Sequence, residues 1–122
     1  MGAIADIDHV QIAMPRDRED EARRFYGGAL GLSELPKPAN LAKRGGLWFA
    51  IGARQLHLGV EEGFRPARKA HPAFRVAGLA AFRARIIAAG YAPVDDEPLP
   101  GYDRFYLSDP FGNRLEFLEP AS

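Results

Sequence analysis

The chain has 122 residues, the length of one domain, with 16 basic and 16 acidic side chains and no cysteine. The charge balance excludes a global field that would draw the protein to nucleic acid or a membrane surface. The lack of cysteine excludes disulfides, thiolate metal sites and cysteine nucleophiles. No apolar run approaches the roughly 20 residues of a membrane span, and the first residues lack the basic stretch of a signal peptide, so a cytoplasmic protein is expected.

The first half of the chain reads as strands around one helix, with apolar residues alternating in the strands and forming one stripe on the helix. The predicted elements are, in order, a strand over 4–14, a helix over 18–30 capped by Asp17, a short strand over 32–35, a turn or short helix over 40–44, and hairpin strands over 46–51 and 54–60. A polar segment over 61–70, broken by glycine and proline, follows as the best linker. Its Arg65, Arg68 and Lys69 are read as solvated, with a role in holding an anionic substrate as the alternative.

The second half repeats the same order. The predicted elements are a strand over 71–76, a helix over 78–89, a short strand over 91–94, a loop over 95–101, and hairpin strands over 104–108 and 114–119 around the turn DPFGN. The whole chain is therefore two βαβββ modules, about 4–60 and 71–119, joined by the linker over 61–70. A half this small is a poor independent fold, so both modules are expected in one α+β domain whose curved mixed sheet has a concave face.

Four polar side chains occupy equivalent positions of this repeat. The sequence has three histidines, and they fall with one carboxylate on the strand faces opposite the apolar stripes: His9, His57, His71 and Glu116. A single histidine on a strand is more often structural or solvent-facing than a ligand. The coincidence at four related positions instead favours a metal cluster, and imidazole with carboxylate suits Zn, Ni, Co, Mn or Fe(II).

The segments DHVQIAM, RRFYGGALGL, HPAF and SDPFGNRLEF, together with the repeat, resemble the vicinal oxygen chelate superfamily. That superfamily includes glyoxalase I, fosfomycin-resistance thiol transferases, extradiol dioxygenases and bleomycin-binding proteins. The resemblance implies metal ligands from the first and last strands of each half, and a homodimer with the site at or near the interface. Glyoxalase I usually has a glutamate where this chain has His57. The fosfomycin enzymes and dioxygenases use three positions, which match His9, His71 and Glu116.

The expected function is that of a metal-dependent, glyoxalase-like lyase or isomerase acting on a small oxygen-chelating substrate. Glu116, the only carboxylate of the cluster, is the candidate catalytic base as well as a ligand. Predicted substrate-binding residues share its face or wall the pocket, and they are Gln11, Trp48, Arg104 and Tyr106. One alternative is an Fe(II) extradiol-type dioxygenase with His57 as a base beside the metal. Another is a resistance-type protein, either a thiol transferase with an unknown thiol cosubstrate or a non-catalytic binder of drugs or metabolites.

Overall fold

A computed structural model describes residues 1–122, and its chain divides into two compact units, Met1–Phe64 and Arg65–Ser122. In the first unit, four strands form a mixed sheet in the order β1-β4-β3-β2, with β1 parallel to β4. Its elements are β1 (His9–Met14), α1 (Glu19–Ala22), a π-helix (Arg23–Ala29), β2 (Ser33–Leu35), α2 (Ala39–Ala42), β3 (Leu47–Ile51) and β4 (Arg54–Val60).

The second unit forms its own three-stranded sheet in the order β5-β7-β6, with β5 parallel to β7 and β6 antiparallel to it. Its elements are β5 (Ala73–Arg75), α3 (Leu79–Ala88), β6 (Tyr102–Ser108) and β7 (Arg114–Pro120). One further residue, Val94, makes an isolated antiparallel bridge to Tyr106 at the β6 edge. Each unit therefore pairs its first strand with its last in parallel, and each ends in an antiparallel hairpin.

Each sheet buries one face. The buried face is the one that carries the apolar side chains predicted from the alternation along its strands. In the first unit Phe49, Leu56 and Leu58 are at most 1% exposed. In the second unit Phe105 and Phe117 stack at 5.3 Å between ring centroids, and Phe82 of α3 lies 5.2 Å from Phe117. Since full burial of such a side chain stabilises by roughly 1.5–3 kcal/mol, these two cores fix which faces of the sheets remain for polar residues.

The predicted α+β order of two modules is confirmed, with hydrogen bonding dividing the strands into two sheets, one for each unit. The strand predicted over 4–14 begins only at His9, and Asp17 does not cap the helix. Asp17 has a φ of 64°, and the N-cap position is occupied by Arg18 with no side-chain capping bond. The predicted helix over 18–30 widens into a π-helix, in which the Leu30 N–H donates to the Phe25 carbonyl.

The second unit departs from prediction at its two short strands. The strand predicted over 71–76 shortens to Ala73–Arg75, so His71 lies just before it. The strand predicted over 91–94 is reduced to the Val94 bridge, whose two backbone bonds to Tyr106 are each 2.8 Å. Of the residues over 91–94, only Val94 pairs with β6 in this way.

No helix in the chain is long and apolar enough to cross a membrane.

Candidate functional site

The polar faces of the two sheets are built in equivalent register. In the first unit His57 of β4 lies opposite Gln11 of β1 and Trp48 of β3. In the second unit Glu116 of β7 lies opposite Ala73 of β5 and Tyr106 of β6. His57 and Glu116 therefore occupy equivalent strand positions, and Trp48 corresponds to Tyr106.

The other two candidate ligands, His9 and His71, also occupy equivalent positions. His9 lies two residues before Gln11, and His71 lies two residues before Ala73. Because side chains alternate along a strand, a two-residue step keeps the same face. Each unit therefore brings one candidate pair together, His9 with His57 and His71 with Glu116.

In the first unit the pair is stacked rather than hydrogen-bonded. The His9 and His57 rings lie 4.2 Å apart between centroids at an interplanar angle of 20°. Trp48 covers the other face of His57 at 4.1 Å and 5°, leaving His57 only 5% exposed. The Nε2 atom of His57 is 2.8 Å from Oε1 of Gln55, two residues earlier on the same strand.

This stack constrains what His57 can do. Burial lowers the pKa of His57, and the neighbouring His9 lowers it further, so the ring is neutral near pH 7. The lone pairs of an imidazole lie in its ring plane. Two nearly parallel rings therefore direct them side by side rather than toward one point. His9 and His57 could share a metal ion only after one ring rotated out of the stack.

In the second unit the pair is in hydrogen-bond contact. Nε2 of His71 lies 2.8 Å from Oε1 of Glu116, and Nδ1 of His71 lies 2.8 Å from the Lys69 carbonyl. A carbonyl only accepts, so Nδ1 carries a proton and donates it. The Nε2 atom then faces Oε1 of the Glu116 carboxylate.

An arginine donates a hydrogen bond to the other carboxylate oxygen of Glu116. Oε2 accepts a hydrogen bond of 3.2 Å from a terminal nitrogen of Arg104, and the carboxylate is 6% exposed. Burial alone would raise the pKa of Glu116. The hydrogen bonds from His71 and Arg104 outweigh it, so the net pKa lies below the usual glutamate range. Glu116 is consequently ionised at neutral pH.

Arg104 connects three groups of this site. The nitrogen that reaches Glu116 also donates to the Tyr106 hydroxyl at 2.9 Å, while the other terminal nitrogen donates to the Glu97 carbonyl at 2.7 Å. Its Nε is buried without a hydrogen-bond partner. Since an unpaired buried donor costs free energy, the guanidinium is held in this position by its other bonds and not by its Nε.

The donor set of the second unit fits a divalent metal ion. Because the Nδ1–H of His71 donates to the Lys69 carbonyl, Nε2 is the nitrogen left to bind a metal ion, which is the usual way a metal-binding histidine is oriented. Nε2 and Oε1 are as close as two neighbouring ligands of one small cation, whose bonds to each are roughly 2.0–2.2 Å. The chain on its own contains no group of three or more His, Asp or Glu side chains placed to hold a metal ion. The structure therefore arranges the four predicted ligands as two pairs.

The predicted substrate-binding residues all lie on these polar faces. The Gln11 side chain lies over Gly59, where a Cβ would be 2.5 Å from the Gln11 amide nitrogen. Trp48 lies on His57, and Arg104 and Tyr106 lie beside Glu116. Sequence reasoning gave no role to Gln55, although alternation places it on the same face as His57 and close enough to bond it.

Each unit has a cavity on its polar face. In the first unit a cavity of about 230 Å³ is bordered by Gln11, Trp48 and Lys37. In the second unit a larger cavity of about 410 Å³ is bordered by Tyr106 and Arg114, among others. The Arg114 guanidinium lies 3.7 Å from the centre of the Tyr106 ring, within cation–π distance.

Comparison with known proteins relates the chain to one family of domains. Residues 11–118 match the model of the glyoxalase-like domain. A putative glyoxalase family protein from Bacillus anthracis is 50% identical, with 99% of each chain covered and a TM-score of 0.96. No curated protein matches the chain.

More distant structures share the fold. A glyoxalase/dioxygenase from Nostoc punctiforme is 20% identical, with 100% of this chain and 99% of that chain covered and a TM-score of 0.78. The fosfomycin resistance protein FosX from Listeria monocytogenes is 14% identical, with 98% and 94% covered and a TM-score of 0.74.

Proposed function

Because the chain belongs to the glyoxalase-like domain family of the vicinal oxygen chelate superfamily, we propose that it is a divalent-metal-dependent lyase or isomerase. Its substrate is a small molecule with two neighbouring oxygens. The observation that carries the proposal is the His71–Glu116 contact of 2.8 Å, with the histidine tautomer set by the Lys69 carbonyl. That arrangement presents one nitrogen and one carboxylate oxygen to a cation.

A complete ligand set needs donors beyond this pair. We propose that a homodimer supplies them. His71 and Glu116 of one chain would be joined by His9 of a second copy, and by its His57 once that ring has rotated. What supports this assembly is the superfamily, whose members generally build the site at a dimer interface. When bound, the metal ion would act as a Lewis acid toward the two substrate oxygens.

The chain's own residues supply the proton chemistry. Glu116 is ionised because Arg104 and His71 stabilise its charge, so it is in the form that can accept a proton from substrate. The Tyr106 oxygen accepts from Arg104, which leaves the Tyr106 O–H free to donate to a substrate oxygen. Both groups are nearly buried, so water is largely kept from the carbon where the proton is exchanged.

One observation favours a second candidate. His57 is covered on both faces and bonded to Gln55, which favours a three-residue set of His9, His71 and Glu116. Two histidines and one carboxylate are the ligands of non-haem Fe(II) oxygenases. An extradiol-type dioxygenase is therefore the alternative function, with the same residues in the same places.

The test is metal binding by the purified full-length chain, followed by activity. We expect about one divalent ion per chain in the wild type, and a loss of affinity of at least roughly tenfold in Glu116→Gln, because a charged ligand is removed. Glu61→Gln is the matched control, since Glu61 is exposed and in the linker, and it should bind as the wild type does. A wild-type protein that binds no divalent ion tightly would contradict both candidates, and turnover that needs Fe(II) and O₂ would select the dioxygenase.

A further inference from the structure

The cavity of the second unit has the chemistry of an anion-binding site. We propose that it binds a carboxylate or phosphoryl group between Arg68 and Arg114. The proposal rests on the proposed function in that this anionic group would be part of the substrate whose oxygens lie at Glu116. It names a substrate class, small acids, that metal ligation alone does not specify.

The cavity walls supply the donors that such a group needs. Arg68, Arg114 and the Ser108 hydroxyl border the space of about 410 Å³, with Val94 and Tyr106 as its apolar sides. Ser108 and Arg114 are paired in register across the β6–β7 hairpin, so their side chains share one face. Guanidinium groups bind carboxylate and phosphate oxygens through paired N–H donors, which makes two arginines and a hydroxyl a suitable lining.

Arg114 is oriented before any ligand arrives. Its guanidinium rests on the Tyr106 ring at 3.7 Å, and one terminal nitrogen contacts Asp96 at 3.2 Å. An arginine has five N–H donors, so one long contact leaves most of them for a ligand. The stacking also removes much of the side-chain freedom that binding would otherwise cost.

Arg68 is brought to the cavity by its backbone. The Ala67 N–H donates to Oδ1 of Asn113 at 3.0 Å, and the Ala67 carbonyl accepts from the Arg114 N–H at 2.9 Å. The segment at 66–68 is therefore attached to the β6–β7 turn and not a free linker. The Arg68 side chain is exposed and borders the cavity, and it has no ion-pair or hydrogen-bond partner in the chain, so its guanidinium is available to a ligand.

The nearby carboxylates do not cancel this charge. Asp96 contacts Arg114 alone among the cavity arginines, and Glu116 is already bonded by His71 and Arg104. Ser108 and Arg114 lie two residues along their strands from Tyr106 and Glu116, a step of roughly 6.5–7 Å. The anionic group of the substrate would thus lie about that far from the oxygens held at Glu116.

The experiment is an amide-resolved NMR titration of the full-length chain, with inorganic phosphate in one arm and succinate in the other. It is run on chelator-treated protein, so that a bound metal cannot take up the anion. We expect saturable shifts at the amides of Arg68, Ser108 and Arg114. The arm with the tighter binding identifies the phosphoryl or the carboxylate class.

Two variants decide the assignment. Arg68→Met should weaken binding roughly tenfold or more, the effect of removing a charge-assisted contact. Arg65→Met removes an exposed arginine of the same segment and should leave the affinity unchanged. Shifts that never saturate in the wild type, or equal weakening in both variants, would overturn the proposal. Because no metal takes part, failure of metal binding would refute the proposed function and leave this site standing.

Discussion

His57 lies between two rings, Trp48 and His9, and it differs in this from the other candidate ligands. The position of His57 in the repeat could be identified from the sequence, because residue spacing and strand alternation depend only on the local order of residues. The stack could not, since ring packing depends on the rotamers of residues from three strands. The equivalent position of the second unit differs, because Glu116 there has no ring to stack and instead bonds to His71.

The buried His57 should make stability depend on pH. Its pKa is lowered in the folded protein by burial and by His9, relative to the ordinary value of 6.5. Between the folded and the unfolded pKa the unfolded chain binds the extra proton, so stability falls as pH falls below about 6.5 and levels off below the folded pKa. Urea unfolding of the wild type from about pH 7.5 to about pH 5.5 should show this loss. In His57→Phe, which keeps a ring but cannot titrate, the slope with pH should be smaller, and an unchanged slope would contradict the assignment.

At the scale of elements, the two closing hairpins were the most predictable parts of the fold. The strands β4 and β6–β7 lie within two residues of their predicted bounds, because alternation and glycine-containing turns specify them locally. The π-helix at Arg23–Ala29 and the loss of the strand over 91–94 were missed. The backbone bonds that define them, from the Leu30 N–H to the Phe25 carbonyl and between Val94 and Tyr106, are not specified by the spacing of apolar residues.

The second half of the linker makes contacts that its composition does not predict. Its glycine and proline content predicts a solvated connection, yet residues 66–68 are fastened to the turn DPFGN. The reason lies in Asn113, which is 2% exposed. Its amide nitrogen donates to Asp109 and its oxygen accepts from Ala67, so a residue that reads as a simple turn former also holds a distant segment.

Removing the Asn113 side chain should therefore affect both the turn and the linker. In Asn113→Ala the Ala67 N–H loses the Asn113 oxygen and Oδ2 of Asp109 loses the Asn113 amide, and the lost bond to the buried, charged Asp109 should cost about 1–3 kcal/mol. Denaturant unfolding measures the loss, and hydrogen exchange should show faster exchange at Ala67. The control is Asn40→Ala, an exposed position in α2, which should change stability little. Unchanged exchange at Ala67 would mean that the segment is held by other contacts.

At the scale of the whole molecule, the proposed homodimer would join the two pairs into one metal site. Each unit contributes two of the four candidate ligands, and the chain alone makes no group of three. In a dimer with two-fold symmetry, ligands drawn from both chains would form two identical sites. The sequence indicates candidate ligands but not from which chain each would come.

Mixing two defective chains tests this arrangement. His9→Ala and His71→Ala should each lose tight metal binding, because each removes a ligand from every site. After unfolding and refolding together, mixed dimers should regain one intact site, or about a quarter of the wild-type capacity on random pairing. Calorimetric titration of the mixture gives the number of sites. If each site used ligands of one chain only, mixing would restore nothing.

The attachment of Ala67 to Asn113 also bears on how such chains can be recombined. The boundary between the units falls between Phe64 and Arg65, so residues 65–70 belong with the turn at 109–113 that holds them. A chimera of two relatives joined after residue 64 would inherit the segment and its anchor from one parent. A junction only a few residues later would take Arg68 from one parent and the turn that positions it from the other. The hybrid would then lose the position of Arg68 at the cavity while keeping both modules folded.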